Sequence, residues 1–513
     1  MQDSRLNNAG RNMVFGMLLR GYQILMPFLM RTAFMYYMSL EYLGLNSLFG
    51  SVLFVLNLAE LGVGSAMVYS MYQPIIDGNT AEICALVKLY RKYYRFIGLV
   101  IAVVGTILTP FIPYIIKGSV PDDISVYVVY LLNLFCTVMS YWLFAYKNSL
   151  LVAHQRNDVA SKVMLVTNTV QYGLQFVTVA VFKDYYMYLV VAIITQIVTN
   201  IVTAYFAKKM YPDYNPEGEL PPERIKTING RIKDLFLMKF GVVVVSSADS
   251  IVISAFLGLT MVGIYNNYYY ILTAVFGIVK VVFDSCTAGI GNSILVETEE
   301  KNYADLKKLT FLVMWMIGFC SVCLLCLYQP FMKLWGSLAN GNYMLDYTAV
   351  VCLVLYFYLD RAMQLLITYK DAAGIWHTDR FRPLVTALAN LIMNIILVQI
   401  IGLNGVMLST VLSILLIGMP WIIRNLFKEL FKRDAKEYVV SLLIYTAVTA
   451  VISVCCIFLC DLVPEMGRGG IISLIIKGVI CVVVANAMYV LFYFKTKSFA
   501  DTKQIVKRII KRG

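Results

Sequence analysis

The feature that most constrains this chain is a train of about fourteen apolar runs, each near or above the length needed to cross a bilayer, separated by short polar segments. The runs fall near residues 13–38, 47–72, 96–116, 124–146, 163–182, 187–207, 235–258, 263–288, 309–328, 347–369, 383–401, 405–423, 438–460 and 470–494. A helix of about 20 apolar residues spans the ~30 Å hydrocarbon core. Lipid offers no hydrogen bonds to the backbone, so each run must satisfy its own amides as a helix. Composition agrees. Charged residues make up 14% of the 513-residue chain, against about 25% in soluble domains, and mean hydropathy is +0.74. The expected fold class is all-α, a polytopic membrane protein with about fourteen transmembrane helices. The polar start, 1–12, and the length of the first run argue against a cleaved signal peptide.

The positive charges test that map. With the amino terminus placed inside, Lys117, Lys183, Lys333 and Arg468 fall in outer segments, and Arg20, Arg31, Lys280, Arg361 and Lys477 fall within runs. The remaining 34 of the 43 basic residues lie in inner segments. The positive-inside rule then predicts a multi-pass protein of the cell membrane with both termini cytoplasmic. It also accounts for the formal net charge of +13 without nucleic acid, because the charges are parcelled between runs.

The inner segment 208–234 is the longest. It holds Pro212, Pro216, Gly218, Pro221 and Pro222, a density that stops helices. The expected organisation is an N-terminal six-helix lobe (1–208), a cytoplasmic linker (209–234), a C-terminal six-helix lobe (235–428) and two further helices with a basic tail (429–513). Segment 81–95 alternates Ile83, Leu86 and Val87 with Lys88, Arg91 and Lys92, which predicts a helix lying in the headgroup layer. The tail 503–512 reads either as a similar helix or as a solvated basic tail. Leu43-Gly44-Leu45-Asn46, Val262-Gly263-Ile264-Tyr265 and Gly402-Leu403-Asn404-Gly405 look like repeated joins between spans. Repeated hairpins of this kind suggest two related lobes with a site between them.

Charges inside a bilayer are costly and usually face a cavity or a partner. Arg20 and Arg31 lie eleven residues apart in the first run. Eleven residues are three turns plus about 20°, so both share one stripe, about 16 Å apart along the axis. Two guanidinium groups at two depths suit an anion moving along a cavity; snorkelling to headgroups is the alternative. Glu60, in Ala59-Glu60-Leu61-Gly62, falls at an intermediate depth and suits a counter-ion role. Asp249 stands among Ser246, Ser247 and Ser250. Asp360 and Arg361 are central in the tenth run, pointing about 100° apart, so one or both are expected to line the cavity. Lys280 and Asp284, spaced i, i+4, are expected to pair. Tyr265 and Tyr268–Tyr270 read as an interfacial belt or as stacking partners for sugar rings.

The candidate substrate-binding set is therefore Arg20, Arg31, Glu60, Asp249, Asp360 and Arg361, with no catalytic or metal-ligating residue. No phosphate-binding G-x-x-x-x-G-K-[ST] loop and no H-E-x-x-H pair occurs. Outer segments are too short for a catalytic domain, so the chain is not expected to be an enzyme or to hold a cofactor. The eleven cysteines lie mostly inside apolar runs, away from the two histidines, and read as reduced core or lipid-facing thiols.

Several segments carry a resemblance. Glu41-Tyr42-Leu43-Gly44-Leu45-Asn46-Ser47-Leu48-Phe49, Leu58-Ala59-Glu60-Leu61-Gly62-Val63-Gly64 and Tyr72-Gln73-Pro74 resemble bacterial polysaccharide-export flippases. Those proteins belong to the multidrug/oligosaccharidyl-lipid/polysaccharide (MOP) exporter superfamily. Ala248–Ser254 with Gly263–Tyr268, and Asn390–Ile395 with Gly402–Gly405, agree. The resemblance implies two six-helix lobes in a V shape plus two C-terminal helices. It implies movement of an undecaprenyl-diphosphate-linked oligosaccharide to the outer leaflet by alternating access, without bond chemistry. Membrane lipids, a polysaccharide polymerase and glycosyltransferases are the partners it implies; nucleic acid is not among them. A drug or cation exporter of the same superfamily, and a non-transport assembly protein of a polysaccharide pathway, remain open alternatives.

Overall fold

The structure, a computed structural model, describes residues 2–118, 120–338, 343–467 and 470–501. Each of the fourteen apolar runs coincides with a helix or a helix pair. The first unit of the chain contains α1 (Gln2–Tyr37), α2 (Leu40–Leu56), α3 (Val63–Ile76), α4 (Thr80–Leu108), α5 (Val126–Trp142), α6 (Asn148–Ala153), α7 (Asn157–Val177), α8 (Tyr185–Met210) and α9 (Pro222–Leu257). Then α10 (Leu259–Val296) leads into the second unit. There follow α11 (Glu299–Leu338), α12 (Tyr347–Ala372), α13 (Arg382–Ile401), α14 (Leu403–Ser413), α15 (Met419–Glu429), α16 (Lys436–Asp461) and α17 (Ile471–Tyr493). Contacts divide the chain into two compact units, Met1–Gly263 and Ile264–Gly513.

Among the described residues, twelve helices are long and apolar enough to cross a membrane. The count is thirteen if Val126–Trp142 and Ala145–Ala153, which meet at a 45° bend, form one span. The expected run 235–258 falls on α9. Only its Ser247–Leu257 part is counted among the described residues, as a shorter apolar helix. The tail 503–512 lies outside the described residues.

In the first unit α7 packs on α1 and α8, α5 on α4 and α8, and α9 on α2 and α3. Three expectations change here. The first two glycine motifs are not joins. Gly44 lies inside α2 and Gly263 inside α10, where a Cβ on Gly44 would sit 2.1 Å from the carbonyl oxygen of Leu259. A Cβ on Gly263 would sit 2.8 Å from that of Leu40. These glycines let two backbones touch, and the Thr260 hydroxyl seals the crossing by donating to Glu41 Oε1 at 2.7 Å. The actual joins are Met38–Ser39 and Gly258. Likewise only Gly402 (φ 60°) turns in the third motif, its other residues opening α14. Segment 81–95 is also no separate surface helix. It is the first half of α4, capped where the Asn79 side chain accepts from the Glu82 amide, and Ile83, Leu86, Val87 and Tyr90 are buried in the unit. Only Tyr211–Pro221 of the expected linker lies between helices, because Pro222 opens α9 at a first-turn position that needs no amide donor.

In the second unit α11 is the shaft on which α12, α16 and α17 pack, while α13 pairs with α14 and α14 with α12. The α13–α14 hairpin is fastened by fully buried polar groups. Asn390 Nδ2 donates to Thr410 Oγ1 at 3.0 Å, and the Ser409 hydroxyl donates to Asn394 Oδ1. Such amides hold helices together where apolar surface alone gives no preference. A π-turn, Ile414–Gly418, separates α14 from α15 and supplies the local break expected of such bulges.

Candidate functional site

The second span is broken, and Glu60 stands at the break. After α2 the chain makes a 3₁₀ turn, Asn57–Glu60, and Gly62 adopts φ 89° before α3 begins. That left-handed conformation is open to glycine and costly for other residues. It also brings the backbone against α9, where a Cβ on Gly62 would lie 2.6 Å from Leu235 Cβ. The break releases Glu60 from a continuous helical surface and turns its carboxylate toward α4.

There the Tyr90 hydroxyl donates to the Tyr94 hydroxyl at 2.7 Å, and Tyr94 donates to Glu60 Oε1 at 3.0 Å. The rings of Tyr90 and Tyr94 lie 4.4 Å apart, and Tyr141 of α5 meets Tyr94 edge-on at 5.5 Å. Two cavities share the Glu60–Tyr94 pair as a wall. One, about 280 Å³, is lined by side-chain amides from α7 and α8, among them Asn168, Gln171, Gln196 and Asn200. The other, about 540 Å³, opens along α3 beside Ser65, Tyr69 and Tyr72. Among the described residues neither lining includes a lysine or arginine, and the Arg231 guanidinium lies 4.7 Å from the ring centre of Tyr69 in the second. A carboxylate ringed by hydroxyls and amides is suited to hold a proton or a small cation.

The predicted arginines share α1. Arg20 is exposed along a span that reads Arg11–Tyr37. Arg31 is half-buried, near enough to Tyr188 of α8 for its charge to act on that phenol. Tyr188 stacks on Tyr185 at 5.7 Å and meets Phe34 at 4.9 Å, so Arg31 stands at the edge of an aromatic cluster. Asp249 is half-buried on α9 beside the buried Ser247 and Ser250.

The second unit holds the other two predicted residues. Arg361 donates through Nε to Asp360 Oδ2 at 2.9 Å, and its guanidinium lies 4.4 Å from the centre of the Phe276 ring. The long arginine side chain bends back across the angle that separates neighbours on a helix, so these two residues pair with each other. Lys280 and Asp284 pair at 2.6 Å as expected. Tyr268 is fully buried, donating to Gln329 Oε1 at 2.8 Å and stacked on Tyr328, so it belongs to the core rather than to a belt.

Sequence reasoning missed a further cavity of about 690 Å³ between α12, α15 and α16. Its walls include Leu415, Leu442 and Leu443, and Arg424, Lys428 and Arg433 also line it. The apolar positions look like ordinary span residues and the cations like ordinary positive-inside charges. Their convergence on one cavity is tertiary.

A many-span helical bundle with charged groups sunk in its spans defines a class first, the polytopic membrane proteins. Solved structures bear this out for the fold. The lipid II flippase MurJ in an inward closed conformation matches with a TM-score of 0.66 at 14% identity, over 94% of this chain and 99% of that one. An inward-facing multidrug resistance MATE family transporter of the MOP superfamily matches at 0.60 and 14%, over 78% and 93%. A mutant of the Vibrio cholerae MATE transporter VcmN matches at 0.56 and 13%, over 84% and 100%. The fold is thus the one these solved transporters share. The particular family follows from sequence: the chain belongs to the polysaccharide biosynthesis protein family, whose model matches residues 9–285, just over half its length. No curated protein matches the chain.

Proposed function

We propose that this protein is a flippase that carries an undecaprenyl-diphosphate-linked oligosaccharide from the inner to the outer leaflet for surface polysaccharide synthesis. Arg20 is the observation that carries the reading. A permanently charged guanidinium stands exposed within a span, where only an anion or water can repay its loss of hydration. Arg31, about three turns further along the same stripe of α1, gives the diphosphate a second station. Transfer proceeds by alternating access with both termini cytoplasmic, the orientation the basic segments favour. The leucine-walled cavity with Arg424, Lys428 and Arg433 is consistent with a carrier that is apolar along its chain and anionic at its head. Family membership and the flippase match by fold support the same reading.

Glu60 favours a second component. Hydroxyls and side-chain amides line its cavities, which fits a cation or proton that drives transport, with Asp249 a further acid for charge balance. The same observation is what a drug or cation exporter would need, so one experiment must separate the two. Arg20→Ala and Arg31→Ala are compared with wild type for surface polysaccharide display and for movement of labelled lipid-linked sugar across proteoliposomes. The expected result is at least a ~10-fold loss for Arg20→Ala, the scale of one lost charged hydrogen bond. Unchanged display and unchanged lipid transfer in both variants would sink the diphosphate assignment. Retained drug resistance in cells carrying those inactive variants would point instead to cation export.

A further inference from the structure

Three cysteines that are far apart in sequence meet in the second unit. Cys326 comes from α11, Cys460 from the last turn of α16 and Cys481 from the middle of α17. Their Sγ atoms all lie within 4.8 Å of one another, and Cys460 and Cys481 are 3.9 Å apart. All three are buried, with 6%, 2% and 0% exposure, in a core that also holds Val322, Ile452 and Ala485. A cavity of about 410 Å³ reaches Cys326 and Cys460 from the side where Met344, Asp461 and Lys477 stand.

We propose that Cys326, Cys460 and Cys481 form a three-thiolate site for one thiophilic d¹⁰ cation of the zinc type, stapling the C-terminal helix pair to α11. The spacing is the first support. Zinc–sulfur bonds of about 2.3 Å place three sulfurs around one ion about 3.8–4.0 Å apart. Cys460 and Cys481 already stand at that separation, 3.9 Å, with the Cys326 sulfur within 4.8 Å of both, well beyond a disulfide bond length of ~2.05 Å. The donor set is the second. Three sulfurs without a histidine or carboxylate among them select soft cations over magnesium or calcium. Access and charge balance are the third. The cavity gives an ion a path to two of the three sulfurs and leaves a fourth coordination position facing it. Binding releases three thiol protons to water and leaves a complex of net charge −1 with a divalent ion. Lys477 and Asp461 both line the cavity, and the charge of Lys477 acts on Cys460. Of the Cys320-x-x-Cys323-x-x-Cys326 series on α11, Cys326 is the one whose sulfur meets cysteines of α16 and α17, a convergence that the sequence does not show.

The test uses the full-length protein in detergent, reduced with a phosphine and titrated with Cd²⁺, then competed with Zn²⁺. The expected result is a sulfur-to-cadmium charge-transfer band saturating at one ion per chain, absent in Cys326→Ser, Cys460→Ser and Cys481→Ser and retained in Cys136→Ser and Cys320→Ser. Zn²⁺ should raise Tm in wild type and not in the three site variants. In wild type alone, Zn²⁺ should protect these three cysteines from alkylation, a readout that needs no variant to fold. Absence of the band in reduced wild type overturns the site, as does its survival in all three variants. A Cys460–Cys481 disulfide found by mass spectrometry in freshly purified, unreduced protein would overturn it in favour of a redox pair.

Discussion

At the scale of single residues, the firmest electrostatic feature lies in the segment joining α12 to α13. Asp379 is 2% exposed, accepts from Arg382 Nε at 2.9 Å, and stands 3.7 Å from Lys370 Nζ. Asn425 Nδ2 of α15 adds a third contact at 3.2 Å. Asp379 compensates the buried Arg382, and Lys370 is shared between Asp379 and the nearer Asp371 at 2.6 Å. Asp379→Asn removes the negative charge while keeping the shape. It should cost about 3–5 kcal/mol, the usual price of stranding a buried charge, seen as a lower Tm in detergent. A change within ~1 kcal/mol would mean that water reaches the cluster. Nothing in the local sequence announces this group. Asp379 and Arg382 suggest an i, i+3 pair, but Lys370 and Asn425 arrive from other helices. The same holds at Glu60. Its position in a span was legible, whereas its partner Tyr94 lies 34 residues away, beyond the reach of periodicity.

At the scale of helices, crossing points are set by small residues, and they can be tested in pairs within one helix. In α2, Gly44 meets the Leu259 carbonyl, whereas a Cβ on Gly50 meets nothing within 4 Å. Gly44→Ala should destabilise the first unit by at least about 1–3 kcal/mol, as overpacking does. Gly50→Ala should be neutral or gain up to ~1 kcal/mol from helix propensity. Equal Tm values for the two variants would contradict the crossing. This contrast also marks a limit of sequence reading. Apolar run length was enough to place a helix under each run, because lipid admits few alternatives, although twelve or thirteen of the fourteen count as spans among the described residues. A glycine inside or beside a run does not say whether it turns the chain or admits a neighbour. Gly44 and Gly263 were therefore expected at joins that lie several residues earlier, at Met38–Ser39 and Gly258. The tyrosines after Gly263 raised a similar ambiguity, resolved only by the burial of Tyr268.

At the scale of the whole chain, the charge distribution predicts which side each connection faces. Asp122, before α5, and Asp213, between α8 and α9, are both exposed. Asp122→Cys should react with a membrane-impermeant maleimide in intact cells. Asp213→Cys should react only after permeabilisation. The reverse pattern would invert the chain and place Arg20 nearer the outer leaflet, leaving the proposed direction of transfer without support. The cysteine triad shows most plainly what the linear chain conceals. Cys326, Cys460 and Cys481 each sit in an unremarkable apolar run, and only the packing of α16 and α17 on α11 brings their sulfurs together.

The α11 shaft has a bearing on the bilayer itself. Between Lys308 and Lys333 it carries 24 residues without a charged side chain. As a helix these measure about 36 Å, several ångströms more than a ~30 Å hydrocarbon layer. An isolated helix would absorb the mismatch by tilting. With α12, α16 and α17 packed along it, α11 cannot lean alone. The thickness difference therefore falls on the second unit as a body or on the lipids around it, which makes membrane thickness a variable to which this half of the protein responds.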